Sequence, residues 1–193
     1  MINFSNATFV KSCPNRQDKP QGQLPEVLIV GRSNVGKSSL INALCQKKRL
    51  AFTSSKPGHT RLLNYYEIDK RFYLVDAPGY GYAKGGINLD EIFLTMMDSY
   101  FDNNRELRLI LVLLDARRDL TDDDREIIKY AKDNGYPFFI VVTKIDKTNQ
   151  KEKANLNKRL KNEEIDIKDI YLTSSKDNKG FDSLKKGIEQ SLK

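Results

Sequence analysis

The chain is poor in the residues that build disulfide frameworks and metal centres. Its 193 residues include two cysteines, Cys13 and Cys45, and a single histidine, His59. The cysteines form no CxxC pair, so a disulfide framework and a Cys/His zinc site are both excluded. Long apolar runs are missing as well. The longest, Leu109–Leu114, is too short to span a bilayer. The opening segment MINFSNATFVKSCPNRQDK has no basic start followed by an apolar stretch, which argues against a secretory signal. There is no lipidation motif and no basic amphipathic anchor. Internal repeats and low-complexity tracts are absent. These absences predict a cytoplasmic protein without a stable membrane anchor. With no long exposed apolar stripe, a monomer is the default.

What is present is a polar globular composition, 39% hydrophobic and 31% charged, in a length suited to one domain. The net charge of +7 is unevenly spread: +2 over residues 1–25, +6 over 26–72, −5 over 73–143 and +4 over 144–193. This asymmetry favours a polyanionic partner such as a nucleotide, RNA or acidic lipid over a uniformly solvated surface. Residues 1–25 hold three of the six prolines and read as an N-terminal arm packing on a single domain, 26–193. Within that domain short apolar runs alternate with helical patterns. Val27–Val30, Leu107–Leu114, Phe138–Val142 and Ile170–Thr173 read as strands, and Leu62–Ile68 with Phe72–Val75 as a hairpin. Ser38–Leu44, Leu89–Phe101, Asp122–Asn134, Gln150–Lys161 and Phe181–Leu192 read as helices. Alternating strands and helices imply an α/β fold with a mostly parallel sheet covered on both faces, whose ligands bind at the carboxyl ends of the strands.

Four motifs carry chemistry. GRSNVGKSS (Gly31, Arg32, Ser33, Asn34, Val35, Gly36, Lys37, Ser38, Ser39) follows a strand and opens a helix, the context a P-loop requires. Its glycines let backbone N–H groups curl around phosphate oxygens, and the helix N-terminus adds partial positive charge. Lys37 reaches the β- and γ-phosphates, and Ser38 can ligate Mg²⁺. A chance match in a chain this long is on the order of 1%, which disfavours an ordinary glycine turn. DAPG follows a strand: Asp76 can hold Mg²⁺ through water, and the Gly79 N–H can meet the γ-phosphate. TKID contributes Thr143, Lys144 and Asp146, whose carboxylate suits guanine N1–H and N2–H₂ and not adenine. One β–α unit later, TSSK (Thr173, Ser174, Ser175, Lys176) completes a base pocket. Between the P-loop and DAPG, the segment Thr53–Arg61 contains Gly58, His59 and Thr60. Thr60 is the candidate sensor that ligates Mg²⁺ only when a γ-phosphate is present. Gly81–Gly86 reads as a second switch loop. Arg117 and Arg118 could meet phosphates, although ion pairing with Asp119 and Asp122–Asp124 is the plainer reading. An ATP-dependent P-loop enzyme is disfavoured by TKID and TSSK. A GTP-gated regulator of a protein partner stays open as an alternative.

These motifs resemble translation-factor-class GTPases, and more closely the EngB (YihA/YsxC) family of bacterial ribosome-assembly GTPases. LPEVLIVGRSNVGKSSLINAL, TSSKPGHTRLLNYY, DAPGYGYA, the DARR of Asp115–Arg118 and TKIDK carry the likeness from about Phe9 to the C-terminus. The resemblance implies a Ras-like fold of six strands with one antiparallel edge strand. It also implies GTP hydrolysis to GDP with Mg²⁺, association with the assembling large ribosomal subunit, and an indirect link to cell division and septation.

Two departures from the generic GTPase pattern stand out. Thr143 replaces the asparagine whose amide ties the nucleotide-binding loops together, which predicts looser loops and modest affinity. Tyr80 follows Gly79 where Ras-type enzymes keep the glutamine that orients the attacking water, which predicts slow hydrolysis. Asn34 stands where potassium-activated GTPases hold a monovalent cation beside the phosphates. K⁺ is therefore a candidate cofactor, and Lys37, Thr60, Gly79 and Asn34 are the candidate catalytic groups.

Overall fold

The computed structural model describes residues 1–52, 62–81 and 89–193. Among them seven strands form one sheet: β1 (Ala7–Cys13), β2 (Glu26–Gly31), β3 (Leu63–Ile68), β4 (Phe72–Asp76), β5 (Leu107–Asp115), β6 (Phe138–Thr143) and β7 (Ile170–Leu172). The helices are α1 (Lys37–Leu44), α2 (Leu89–Phe101), α3 (Asp122–Asp133), α4 (Gln150–Asn162) and α5 (Phe181–Ser191). The strand order is β1-β3-β4-β2-β5-β6-β7. From β4 to β7 across the sheet all pairings are parallel, while β3 runs against both of its neighbours.

Successive residues of a strand point to opposite faces, and here both faces are covered. Leu28 and Val30 of β2 share a core with Met96, Met97 and Tyr100 of α2, Ile128 of α3, and Leu156 and Leu160 of α4. Val27 and Ile29 face the other way, onto Leu40, Ile41 and Leu44 of α1 and Leu184 and Ile188 of α5. Burial on both sides is why the central strands read as continuous apolar runs and not as alternating ones.

The mostly parallel α/β sheet agrees with the sequence reading, but the strand count does not. Among the described residues there are seven strands instead of six, and the reversed strand, β3, lies one position in from the edge. The extra strand is β1, from the segment read as an arm. Its ATFVKSC pattern buries only Ala7 and Cys13 and exposes Thr8–Lys11, so it shows no period of two. Its place is set by main-chain pairing with β3, from Ala7 opposite Ile68 to Cys13 opposite Leu63. Residues beyond β1 are then fastened to the base of the domain. Lys19 Nζ donates to Glu26 Oε1 at 3.0 Å, Arg16 Nη2 to Glu106 Oε2 at 2.7 Å, and the Tyr100 hydroxyl to Glu26 Oε2 at 2.7 Å.

Because β2, β4, β5 and β6 share one direction, their carboxyl ends lie along one edge of the sheet. The chain segments that follow them are gathered there.

Candidate functional site

The phosphate side is built on the turn between β2 and α1. Gly36 caps α1 at φ +113°, a left-handed conformation that favours glycine. No side chain caps the helix there, so the first N–H groups of α1 are left for an anion. Asn34 also adopts positive φ, +64°, and is exposed. Val35 is buried, Arg32, Ser33 and Ser38 are half-buried, and Ser39 is exposed. Lys37 turns back over this loop, and its Nζ donates to the Gly31 carbonyl at 3.4 Å. Burial pushes the Lys37 pKa below the usual lysine value, opposed by the charge of Asp76.

Asp76 ends β4 and is 5% exposed. Burial raises its pKa to about 6 against the pull of Lys37 and a hydrogen bond from Asn64. Its Oδ1 is buried without a hydrogen-bond partner among the described residues. An orphaned carboxylate oxygen in a buried setting is costly, and a hydrated divalent cation would satisfy it. The residues present therefore fit Mg²⁺.

The DAPG turn lies directly on the P-loop. A Cβ placed on Gly79 would fall 2.8 Å from Ser33 Cα and 3.2 Å from Lys37 Nζ, so this close approach requires glycine. The Ser33 N–H donates to the Tyr80 carbonyl at 2.9 Å. The Tyr80 side chain turns away from the loop into the core, where its hydroxyl donates to Asp124 Oδ1 at 2.6 Å.

The base side begins at the end of β6. The Thr143 hydroxyl lies 2.7 Å from the Val35 carbonyl, the nearer of two acceptors, with the Leu114 carbonyl at 3.2 Å. This overturns the expectation that threonine leaves the loops untied: a hydroxyl on the shorter side chain reaches the P-loop. Lys144, at φ +59°, donates from Nζ to the Asn34 carbonyl at 2.7 Å and to Asp115 Oδ2 at 2.9 Å. Asp146 Oδ1 accepts the Ser174 hydroxyl at 2.8 Å, and Ser174 Oγ accepts the Asp177 N–H at 3.0 Å. The Thr173 hydroxyl donates to the Val142 carbonyl at 3.0 Å. Ser175 and Lys176 are exposed beside them. Gly58, His59, Thr60 and Arg61 lie outside the described residues, as does most of Gly81–Gly86.

The sequence reading gave Asp115 no role of its own. Burial works against its charge, but bonds from Arg117 and Lys144 outweigh this and hold the carboxyl well below the usual carboxylate range. Arg117 donates to it from Nε at 2.9 Å and from Nη2 at 2.7 Å. Its ion-pair partner is thus Asp115, not Asp119 or Asp122–Asp124, because a two-residue turn brings the guanidinium back onto the end of its own strand. Asp119 pairs instead with Arg159 of α4. Neither the Lys144–Asp115 contact nor the Tyr80–Asp124 contact has a local sequence signal, since both join segments far apart in the chain.

Thr143→Val should remove the strut to Val35 and leave its carbonyl unpaired. A loss of about 1 kcal/mol, roughly fivefold in affinity, is expected for GDP and GTP alike. Titration with a fluorescent GDP, followed by competition with unlabelled GTP, checks it. Unchanged affinities would mean that the strut contributes nothing.

The family model described as 50S ribosome-binding GTPase matches residues 26–144. The "Probable GTP-binding protein EngB" of Prosthecochloris aestuarii is 40% identical over 188 residues, covering 97% of this chain and 98% of that protein. A crystal structure of a probable GTP-binding protein engB superposes with a TM-score of 0.66 at 22% identity, over 86% of this chain and 98% of that one. At that identity the likeness speaks for the fold. Era in complex with MgGDPNP and nucleotides 1506–1542 of 16S ribosomal RNA gives a TM-score of 0.67 at 27% identity. That match covers 89% of this chain, which spans 57% of the Era chain.

Proposed function

The chain belongs to the 50S ribosome-binding GTPase family, among its EngB-type members, and from that premise we propose that it is a GTP-gated switch acting on the large ribosomal subunit or its precursor. As a member it is a GTPase. The observation that carries the reading is one edge of the sheet where Lys37, Asp76 and Gly79 meet around the P-loop, with Thr143 and Lys144 tied to the same turn and Asp146 held beside them by Ser174. The ribosomal partner is supported by the family description, and the basic surplus of +7 suits a ribosomal RNA contact. We read the chain as a single GTP-binding domain, residues 26–193, whose sheet residues 1–25 complete through edge strand β1, in a cytoplasmic monomer. Its link to cell division and septation is indirect, through ribosome assembly.

In this reading the backbone of Gly31–Gly36 cradles the phosphates with the first turn of α1, including Ser39. Lys37 balances charge on the β- and γ-phosphates, and the Gly79 N–H meets the γ-phosphate. Ser38 and Asp76, with Thr60, would hold Mg²⁺, which when bound neutralises charge developing on the transferred phosphoryl group. Gly58 and His59 flank Thr60 at the phosphates. Lys144 lies along the base, Asp146 selects guanine, and Thr143 and Thr173–Lys176 support the pocket. No glutamine follows Gly79, so unstimulated turnover is expected on the order of 10⁻⁴ to 10⁻³ s⁻¹.

The decisive test is co-sedimentation with purified ribosomal subunits, with a non-hydrolysable GTP analogue or GDP, at low and high salt. Retention by the large subunit only with the analogue, weakening with salt, is expected. Absence of binding in both nucleotide states would remove the mature subunit as partner.

Asn34 sets a second expectation. If its side chain helps hold K⁺ beside the phosphates, hydrolysis should be faster in KCl than in NaCl, and Asn34→Ala should abolish the difference. Equal rates in the two salts would remove K⁺ from the mechanism.

A further inference from the structure

We propose that Tyr80 is a positioning residue that holds Gly79 against the P-loop, with Asp124 at the start of α3 as its anchor. The proposal rests on the reading of Gly79 as the γ-phosphate donor.

Tyr80 is pinned at two points. Its carbonyl accepts the Ser33 N–H at 2.9 Å, and its hydroxyl donates to Asp124 Oδ1 at 2.6 Å across 44 residues of sequence. Between these points the ring is 2% exposed, packed in the core beneath α2 and α3. The anchor is itself held. Asp124 is 2% exposed, and its Oδ2 accepts the Thr121 N–H at 2.8 Å and the Thr121 hydroxyl at 2.9 Å. Thr121 caps α3, and the two residues form a reciprocal capping box. Both oxygens of the carboxylate are therefore engaged, one by the helix start and one by Tyr80.

Gly79 is one peptide unit away from this double attachment. It has little slack on the other side either, since a Cβ on it would fall 2.8 Å from Ser33 Cα and 2.9 Å from Ser33 N. A donor that must meet a γ-phosphate gains from such fixing, because small misplacements are costly in rate. A hydroxyl bonded to a carboxylate inside the core is not placed to orient a water at the phosphate. The tyrosine therefore does not stand in for the missing glutamine. It fixes the glycine before it.

The test separates positioning from general support of the fold. GDP has no γ-phosphate and is blind to Gly79, so it serves as the internal control. Tyr80→Phe removes only the hydroxyl. GDP affinity should stay within about twofold, while affinity for a non-hydrolysable GTP analogue falls roughly tenfold, the scale of one charge-assisted hydrogen bond, and kcat for GTP falls with it. Loss of both nucleotides in equal measure would overturn the proposal, as would an unchanged analogue-to-GDP ratio. Tyr80→Gln adds a second reading: hydrolysis faster than wild type would show that this position orients water and would also overturn it. Gly79→Ala separates the proposal from its premise. If that variant loses the preference for the analogue and Tyr80→Phe keeps it, the positioning role alone fails. Alanine keeps the backbone N–H but puts a Cβ 2.8 Å from Ser33 Cα, so if Gly79→Ala keeps the preference, the close seating of residue 79 on the P-loop does not matter to the γ-phosphate and the proposal falls with its premise.

Discussion

Asp146→Asn is expected to weaken GTP binding by on the order of a hundredfold to ten thousandfold and to shift preference towards xanthosine triphosphate. The carboxylate can accept from both N1–H and N2–H₂ of guanine. Each charge-assisted bond is worth about 1.5–3 kcal/mol, so losing both costs about 3–6 kcal/mol, and each 1.4 kcal/mol is tenfold in affinity. The Ser174 hydroxyl, 2.8 Å from Asp146 Oδ1, helps fix the plane of the carboxylate. An amide in the same place offers one acceptor and one donor, and its NH₂ would face the guanine amino group donor to donor. Xanthine carries a carbonyl at that position and accepts the amide hydrogen instead. Competition of GTP, xanthosine triphosphate and ATP against a labelled nucleotide measures the change. An unaltered GTP affinity would remove Asp146 from the base pocket.

The second large effect has two halves of opposite sign. Asp76→Asn should cut GTP hydrolysis by about a hundredfold or more, the scale on which losing one electrostatic group aimed at developing charge is felt. The same substitution should stabilise the protein when nucleotide and Mg²⁺ are withheld. The folded-state pKa of Asp76 is raised by burial from 3.8 to about 6. A raised carboxylate pKa means that the native state binds the proton more tightly than the unfolded chain does. Its contribution to stability is thus fully present below about pH 4 and is lost as pH rises through about 6. At neutral pH the ionised carboxylate, whose Oδ1 has no hydrogen-bond partner among the described residues, is a cost on the order of 1–3 kcal/mol, and the amide removes it. Thermal melts in chelator should show wild type gaining relative to Asp76→Asn as pH falls from about 7 to about 4. Parallel melting curves across that range, or wild-type turnover in the variant, would contradict the assignment. A group that destabilises the empty protein and is satisfied by a bound cation couples nucleotide loading to stability.

The class of fold and most of its chemistry were legible along the chain because they are local. Phosphate binding needs consecutive backbone N–H groups, and a glycine-rich turn between an apolar strand and a helix spells that out in the nine residues of Gly31–Ser39. The buried strands announce themselves by continuous apolar character, and α3 by its acidic first turn. The proposed guanine contact of Asp146 is read for a different reason: two short motifs, TKID and TSSK, stand at matching places in successive β–α units. Three features were decided only by the tertiary structure. Edge strand β1 pairs through its main chain, so its exposed Thr8–Lys11 carry no period to read. The Thr143 strut depends on how close the end of β6 comes to the P-loop, a distance between strands that no residue type encodes. Tyr80 could be placed beside the phosphates by its position after Gly79, yet its hydroxyl is drawn the other way, to Asp124 of α3. Short-range requirements of the backbone are written in adjacent residues. Contacts between segments far apart in the chain arise only when sheet and helices pack, and those contacts determine how the local motifs are aimed.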